Sequence, residues 1–297
     1  MKRIPILLLL AVFLLPAVFF GCSAPESGTV TLNITDAPTD ADNIESVVIT
    51  ITGLSYHTVD PDEWVDVADF GSPKSYDLLG LTGGVQEMLG QFILPAGEIS
   101  QLRFFLDAPE MGTGVPGGGN PSSPGCYVLL SGAADPEPLF VPSGSSSGFK
   151  ATGAFSVPVN GSVTLTADFD ARKSVKKTNA VYNLQPTIRL IVDGEAGVIS
   201  GTITLAAAVT NSLAVFAYAD NTYSAAEVSA DPAFSSAVSS AIAGAGLTYS
   251  IPFLAAGVYD LAVTEIDVNG GYVNTGLKTV EDITVTAGET VTADITY

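Results

Sequence analysis

From Thr29 onward the chain alternates. In Thr29-Val30-Thr31-Leu32-Asn33-Ile34-Thr35 every second residue is apolar, which is the period of a half-buried strand. Val47, Ile49 and Ile51 repeat the pattern before Gly53. Further strands are predicted at Trp64 to Val67, Ile99 to Leu106, Tyr127 to Leu130, Val163 to Phe169 and Ile188 to Val192. Leu78 to Leu89 is rich in glycine and leaves room only for a short helix around Val85 to Leu89. Alternation resumes at Val198 to Leu205, Leu213 to Tyr218, Leu247 to Phe253, Tyr259 to Ile266, Thr279 to Val285 and Val291 to Tyr297. Between these, Asp231 can cap a helix, Pro232 suits its first turn and Gly244 can end it. Phe234, Val238 and Ile242 fall four apart, as an apolar stripe packed on a sheet would. Pro109 to Gly125 holds six glycines and four prolines in 17 residues, so it reads as an exposed loop, and Pro142 to Gly148 as another.

The start of the chain follows a different pattern. Met1-Lys2-Arg3 precedes an apolar run from Ile4 to Phe20 that contains Pro5 and Pro16. The run is short for a membrane span, which takes about 20 residues. It closes on Gly21-Cys22 and resembles a bacterial lipobox, in which the peptide is cut before the cysteine and the thiol receives a diacylglyceryl group. The alternative is an ordinary secretory leader with a chance cysteine. Residues 1–21 are thus expected to be a lipoprotein signal peptide and 22–28 a short tether. Each buried methylene of an acyl chain on Cys22 adds about 0.8 kcal/mol of membrane attachment, and two or three chains anchor stably. Cys126 is then left without a partner, as a buried and inert thiol.

Charge and chemistry narrow the choice of function. The chain has 297 residues, with 31 acidic against 11 basic residues and a formal charge of −20. Removing Lys2 and Arg3 with the leader leaves 9 bases and a charge of −22. Such a polyanion repels nucleic acid. His57 is the lone histidine, so it would have to be the base of any serine triad. Gly144-Ser145-Ser146-Ser147-Gly148 has the spacing of a nucleophile elbow, and Gly112 to Gly117 that of a phosphate loop, but neither leads into a helix. Asp168 and Asp170 share a strand face, and Glu63, Asp66 and Asp69 gather near Trp64, as a glycosidase pair would. With so many acids a solvated face is the simpler reading. No catalytic residue is assigned.

Calcium suits the oxygen-rich turn holding Asp36, Asp40 and Asp42, and a second with Asp60, Asp62 and Glu63, although aspartates also form ordinary turns. No other cofactor is expected. The run Arg172-Lys173-Ser174-Val175-Lys176-Lys177 carries four of the nine mature bases. Arg172, Lys173, Lys176 and Lys177 either meet anionic headgroups or polysaccharide, or mark a solvated hairpin end. Tyr56, Trp64 and Tyr76 offer an aromatic sugar platform unless at least two of them pack in the core.

Several ordered motifs carry a family resemblance. These are Thr35-Asp36-Ala37-Pro38, Val47 to Gly53, Leu94 to Arg103, Ser147-Gly148-Phe149-Lys150, Asp168-Phe169-Asp170-Ala171 with Ser174-Val175, and Leu184-Gln185-Pro186-Thr187-Ile188-Arg189. Together they resemble domain of unknown function 4382 over about residues 29–193. That resemblance implies a prokaryotic cell-envelope lipoprotein and brings no established activity. Residues 194–297, with Leu254 to Tyr259 and Val285 to Val291, are similar to prealbumin-like or carboxypeptidase-regulatory-like sandwiches. The expectation is an all-β chain of two β-sandwich domains, Ig-like or prealbumin-like, with one short helix in the second. It would be lipid-anchored through acylated Cys22, on the outer membrane or the outer face of the cytoplasmic membrane. Its expected task is to bind or scaffold an unidentified envelope protein or glycan without catalysis. The alternatives are a purely structural spacer or a carbohydrate-active enzyme.

Overall fold

The computed structural model describes residues 26–37, 44–68, 70–107, 125–141, 148–178, 181–267 and 271–297. Cys22, Asp40, Asp42 and Asp69 lie outside them, as do the two serine- and glycine-rich motifs apart from Gly148, and nearly all of 109–125. Almost everything described is strand, turn or short 3-10 segment, and no described helix is long and apolar enough to cross a membrane.

The first unit is one mixed 14-stranded sheet. Its strands are β1 (Ser27–Asp36), β2 (Ile44–Thr58), β3 (Glu63–Asp66), β4 (Lys74–Asp77), β5 (Glu87–Pro95), β6 (Gly97–Leu106) and β7 (Tyr127–Leu130). There follow β8 (Glu137–Phe140), β9 (Phe149–Thr152), β10 (Phe155–Val157), β11 (Ser162–Phe169), β12 (Val175–Thr178), β13 (Val181–Leu184) and β14 (Ile188–Val192). β2 ties the sheet together, because its first half pairs with β7 and β4 and its second with β6 and β3. The ladder shifts register around Gly53, where the long strand passes from one set of partners to the other. Period-two burial then works as the alternation demands. Val30, Leu32 and Ile34 point into a core shared with Ile49, Leu102, Phe104, Leu165 and Phe169. Cys126 is fully buried there, and burial pushes its thiol up to about 12.

The helix expected around Val85 to Leu89 is instead the start of β5, which pairs antiparallel with β1 from Ser27↔Pro95 to Ile34↔Glu87. Leu89, Phe92 and Leu94 are buried, and the bulge at Leu32/Asn33 absorbs the odd spacing between Leu89 and Phe92.

The second unit is a sandwich of two four-stranded sheets. One holds β15 (Ala196–Thr204), β18 (Thr248–Ala255), β21 (Thr290–Thr292) and β22 (Ile295–Thr296); the other holds β16 (Ser212–Ala219), β17 (Ser239–Ile242), β19 (Gly257–Ile266) and β20 (Tyr272–Val285). Ile199, Val215, Ile251, Leu261 and Val263 fill the space between them. The second helix expectation also fails, since Ser239–Ile242 joins the sheet beside β16, with Ala217↔Ser239 and Ala214↔Ile242. Its four-residue spacing was coincidental. Phe234 has a left-handed φ of 51° and stacks on Phe216, with 4.0 Å between ring centroids, while Ile242 is 43% exposed. The one α-helix among the described residues, α1 (Ala171–Ser174), lies in the first unit.

Candidate functional site

Parallel pairing of β1 with β11 sets Thr35 opposite Asp168 and Asp36 opposite Phe169, so both strands deliver carboxylates to one end of the sheet. There Asp170 caps α1, with Oδ1 accepting from the Lys173 amide at 3.1 Å. Asp36 Oδ1 accepts from the Ala171 amide at 2.8 Å. All three aspartates are buried.

The basic residues meet them from two sides. Arg189 Nη2 lies 2.6 Å from Asp168 Oδ2, while Arg172 Nη2 and Lys173 Nζ approach Asp170 Oδ2 at 3.4 and 3.2 Å. Arg172 Nη1 also donates to the carbonyls of Ala233 and Phe234, at 2.6 and 2.9 Å, and Lys173 Nζ donates to that of Ala237 at 2.5 Å. The Arg172 guanidinium sits 5.5 Å from the Phe216 ring centroid. These bonds join α1 of the first unit to the segment before β17 of the second. The reading of Arg172 and Lys173 as a headgroup contact or solvated hairpin end is therefore corrected: Arg172 is buried, with its Nη1 donating to carbonyls some 60 residues away. Lys176 and Lys177 on β12 are exposed, and Lys177 Nζ lies over Tyr182 at 4.8 Å.

Burial raises the carboxyl of Asp36 well above the usual carboxylate range, and the charges of Asp168 and Asp170 push the same way. Burial raises Asp168 too, against the pull of Arg189. A glycosidase needs its two carboxyls free to face a sugar. Asp168 and Asp170 are instead enclosed and engaged by Arg189, Arg172 and Lys173.

The remaining candidates separate. His57 is held at both nitrogens, by Ser100 Oγ at 2.8 Å and Asp62 at 3.2 Å. Trp64 lies beside it under the Arg103 guanidinium, 3.8 Å from the ring centroid. Tyr56 and Tyr76 are buried, so the aromatic platform reduces to Trp64. Asp66 is bonded to Ser55 at 2.6 Å.

Sequence reasoning missed a third acidic group. Carboxylate oxygens of Asp220, Asp260 and Asp282 lie within 4.8 Å of one another, an all-oxygen set of the kind a hard cation takes. Asp260 accepts from the amides of Asn221 and Asp282 at 2.9 and 3.2 Å, so the turn after β16 and neighbouring positions on β19 and β20 assemble residues far apart in sequence. Replacing Asp282 by asparagine is expected to raise the melting temperature at low salt by relieving repulsion. Asparagine tolerates the φ of 62° there. In 1 M salt, where the Debye length falls to about 3 Å, the gain should shrink; melting curves at the two salt levels test this.

No curated protein matches the chain. Among solved structures it is similar to the TIE protein of Bacillus anthracis, at 12% identity over 91% of this chain and a TM-score of 0.21. It spans about a third of that protein's length, 34%. GBS52, the minor pilin of Streptococcus agalactiae, is 12% identical over 90% of this chain and 94% of that one, with a TM-score of 0.20. BcpA, the major pilin subunit of Bacillus cereus, is 10% identical over 91% and 70%, with a TM-score of 0.23. Likenesses this slight carry no argument. Residues 27–186, more than half of the chain and including Asp36, Asp168, Asp170 and Arg172, match the family described as a domain of unknown function, 4382, and the chain belongs to that family.

Proposed function

We propose that this protein is a lipid-anchored, non-catalytic component of the cell envelope that holds another protein or a glycan through its loops. The observation that carries the reading is where the strands end. β1 starts at Ser27, beside Pro95 at the end of β5, and Val157 pairs with Gly97 near the same end. β1 begins five residues after Cys22 in the sequence. β1 finishes at Asp36, β6 finishes at Leu106 and β9 begins at Phe149, all at the opposite end. The strands flanking 38–43, 108–124 and 142–147 thus terminate away from the tether, where a partner approaching an anchored molecule would arrive. The engaged state of His57, Asp168 and Asp170 favours binding over turnover.

Two measurements on whole cells test this. Labelled palmitate should enter the wild-type protein and not Cys22→Ser, which should leave the membrane fraction. Protease applied to intact cells should cut within 109–125 if the protein faces outward. Protection until the outer layer is broken would place it in the periplasm and point to an envelope-assembly partner. The two-unit junction at Arg172 also suits a spacer. Deleting 109–125 separates the readings, because a spacer keeps its role and a loop-based binder loses its ligand.

A further inference from the structure

We propose that the cleft between the two units binds a small aliphatic carboxylate, held by Arg189. The cleft opens where β9 leaves β14. Those strands pair only at Ile188↔Ala151 and Arg189↔Thr152. Gly153 then turns away with a φ of 134°, its Cβ position 2.5 Å from the Leu190 carbonyl oxygen, a bend that only glycine makes freely. The next strand, β10, pairs with β6 instead. Beyond Arg189, β14 therefore has no strand on that side among the described residues, and turns of the second unit face the gap. These are Ala255 and Ala256 where β18 meets β19, and Ala287 between β20 and β21. The space measures about 450 Å³. Small-molecule sites commonly measure about 300–1,000 Å³ and favour the junctions of domains.

The lining sets both the shape and the charge of what fits. Four alanines and three aliphatic residues of β14 make the walls, and the alanine side chains are too short to fill the space. Arg189 and Glu195 are the charged residues among them. A guanidinium has five N–H donors, and this one is engaged on one side, where Nη2 lies 2.6 Å from Asp168 Oδ2. Nη1 has no acceptor among the described residues and is not enclosed, so a ligand can reach it. Tyr259 fixes where that charge lies. Its hydroxyl donates to the Ala255 carbonyl at 2.9 Å, and burial raises that hydroxyl's pKa against the pull of Arg189. The guanidinium thus acts beside the Ala255 wall. A carboxylate accepts and cannot donate, which suits unengaged N–H groups, and an aliphatic tail suits the alanines. Glu195 is exposed, and water screens its charge. Asp168 offsets much of the arginine's charge, so directed donors and apolar contact hold the ligand. The site goes beyond the proposed binding role and does not depend on the lipid anchor.

Calorimetric titration of the full chain in detergent at pH 7 tests this, with hexanoate as the probe and hexylamine as its cationic counterpart. Hexanoate should bind at one site and hexylamine should give no saturable heat. Arg189→Gln should weaken hexanoate about tenfold or more, because charge-assisted hydrogen bonds are lost. That variant also strips Asp168 of its partner, so Ala256→Trp supplies an independent check. Ala256 is exposed on its turn, and a tryptophan there fills the cleft while leaving Arg189 in place. It should abolish binding and shift the melting temperature by no more than about 2 °C. No saturable heat from hexanoate with the wild type overturns the proposal without recourse to any variant. Equal binding of hexylamine overturns it too, since the cleft would then be an unselective apolar groove. So does hexanoate binding that survives either substitution, which would place the ligand elsewhere on the molecule.

Discussion

Replacing Arg172 by methionine is expected to lower stability by about 3–5 kcal/mol, because it breaks a buried ion pair by removing one partner. Both side chains of the Arg172–Asp170 pair are nearly enclosed, at 3% and 8% exposure. The variant takes a donor from the part-buried carbonyl of Ala233 and from that of Phe234, which keeps only the Ala237 amide. Methionine retains part of the apolar stem against Phe216, so lost packing explains little of the effect. Urea denaturation of the full chain reads the loss. Adding Asp170→Asn should restore part of it, since it removes a buried charge that Lys173 alone would then offset. A loss below about 1 kcal/mol would mean that this junction contributes no more than an exposed pair.

Phe104→Ala is expected to cost a similar 3–5 kcal/mol for a different reason. Phe104 is fully buried on β6 and meets Phe169 edge to face, with 5.4 Å between centroids and an interplanar angle of 77°. Truncation removes the transfer energy of the ring and leaves a cavity between strands whose hydrogen bonds keep them from closing over it. Phe104→Leu should cost under about 1.5 kcal/mol, because it keeps most of the volume. Ile93→Ala on β5, at a residue 78% exposed, should change stability by no more than about 0.5 kcal/mol. Equal losses for Phe104→Ala and Ile93→Ala would contradict the assignment of the core.

Strands whose partners bury one face were legible in the chain, because that burial is what alternation encodes. Tyr127–Leu130 and Ile188–Val192 form as read, and Thr29 to Thr35 lies within β1. β5 was hidden because its bulge puts Leu89 and Phe92 three apart, which breaks the period. The helix expected after Asp231 came from a chance spacing, overridden when Ser239–Ile242 paired with β16. Asp168 and Asp170 could be seen as a pair, but their partners could not. Arg172 looks like surface in a charged run, and its burial depends on carbonyls at Ala233 and Phe234 that only the docked units bring near. The cluster at Asp220, Asp260 and Asp282 had no local signal, since one turn and two separate strands, β19 and β20, build it.

The direction of the strands also sets how far the molecule stands from its support. β11 runs parallel to β1 and β14 runs back antiparallel, with Val192 opposite Leu165 and Leu165 opposite Leu32. The chain therefore turns back toward the side where it came in before passing to the second unit at Ala196. Arg172 then clasps that unit near the opposite end, so the two lie flank to flank. A ten-residue strand such as β1 spans about 33 Å. Held at Cys22 as proposed, the protein would stand about one such strand tall and two units wide, a low platform and not a stalk.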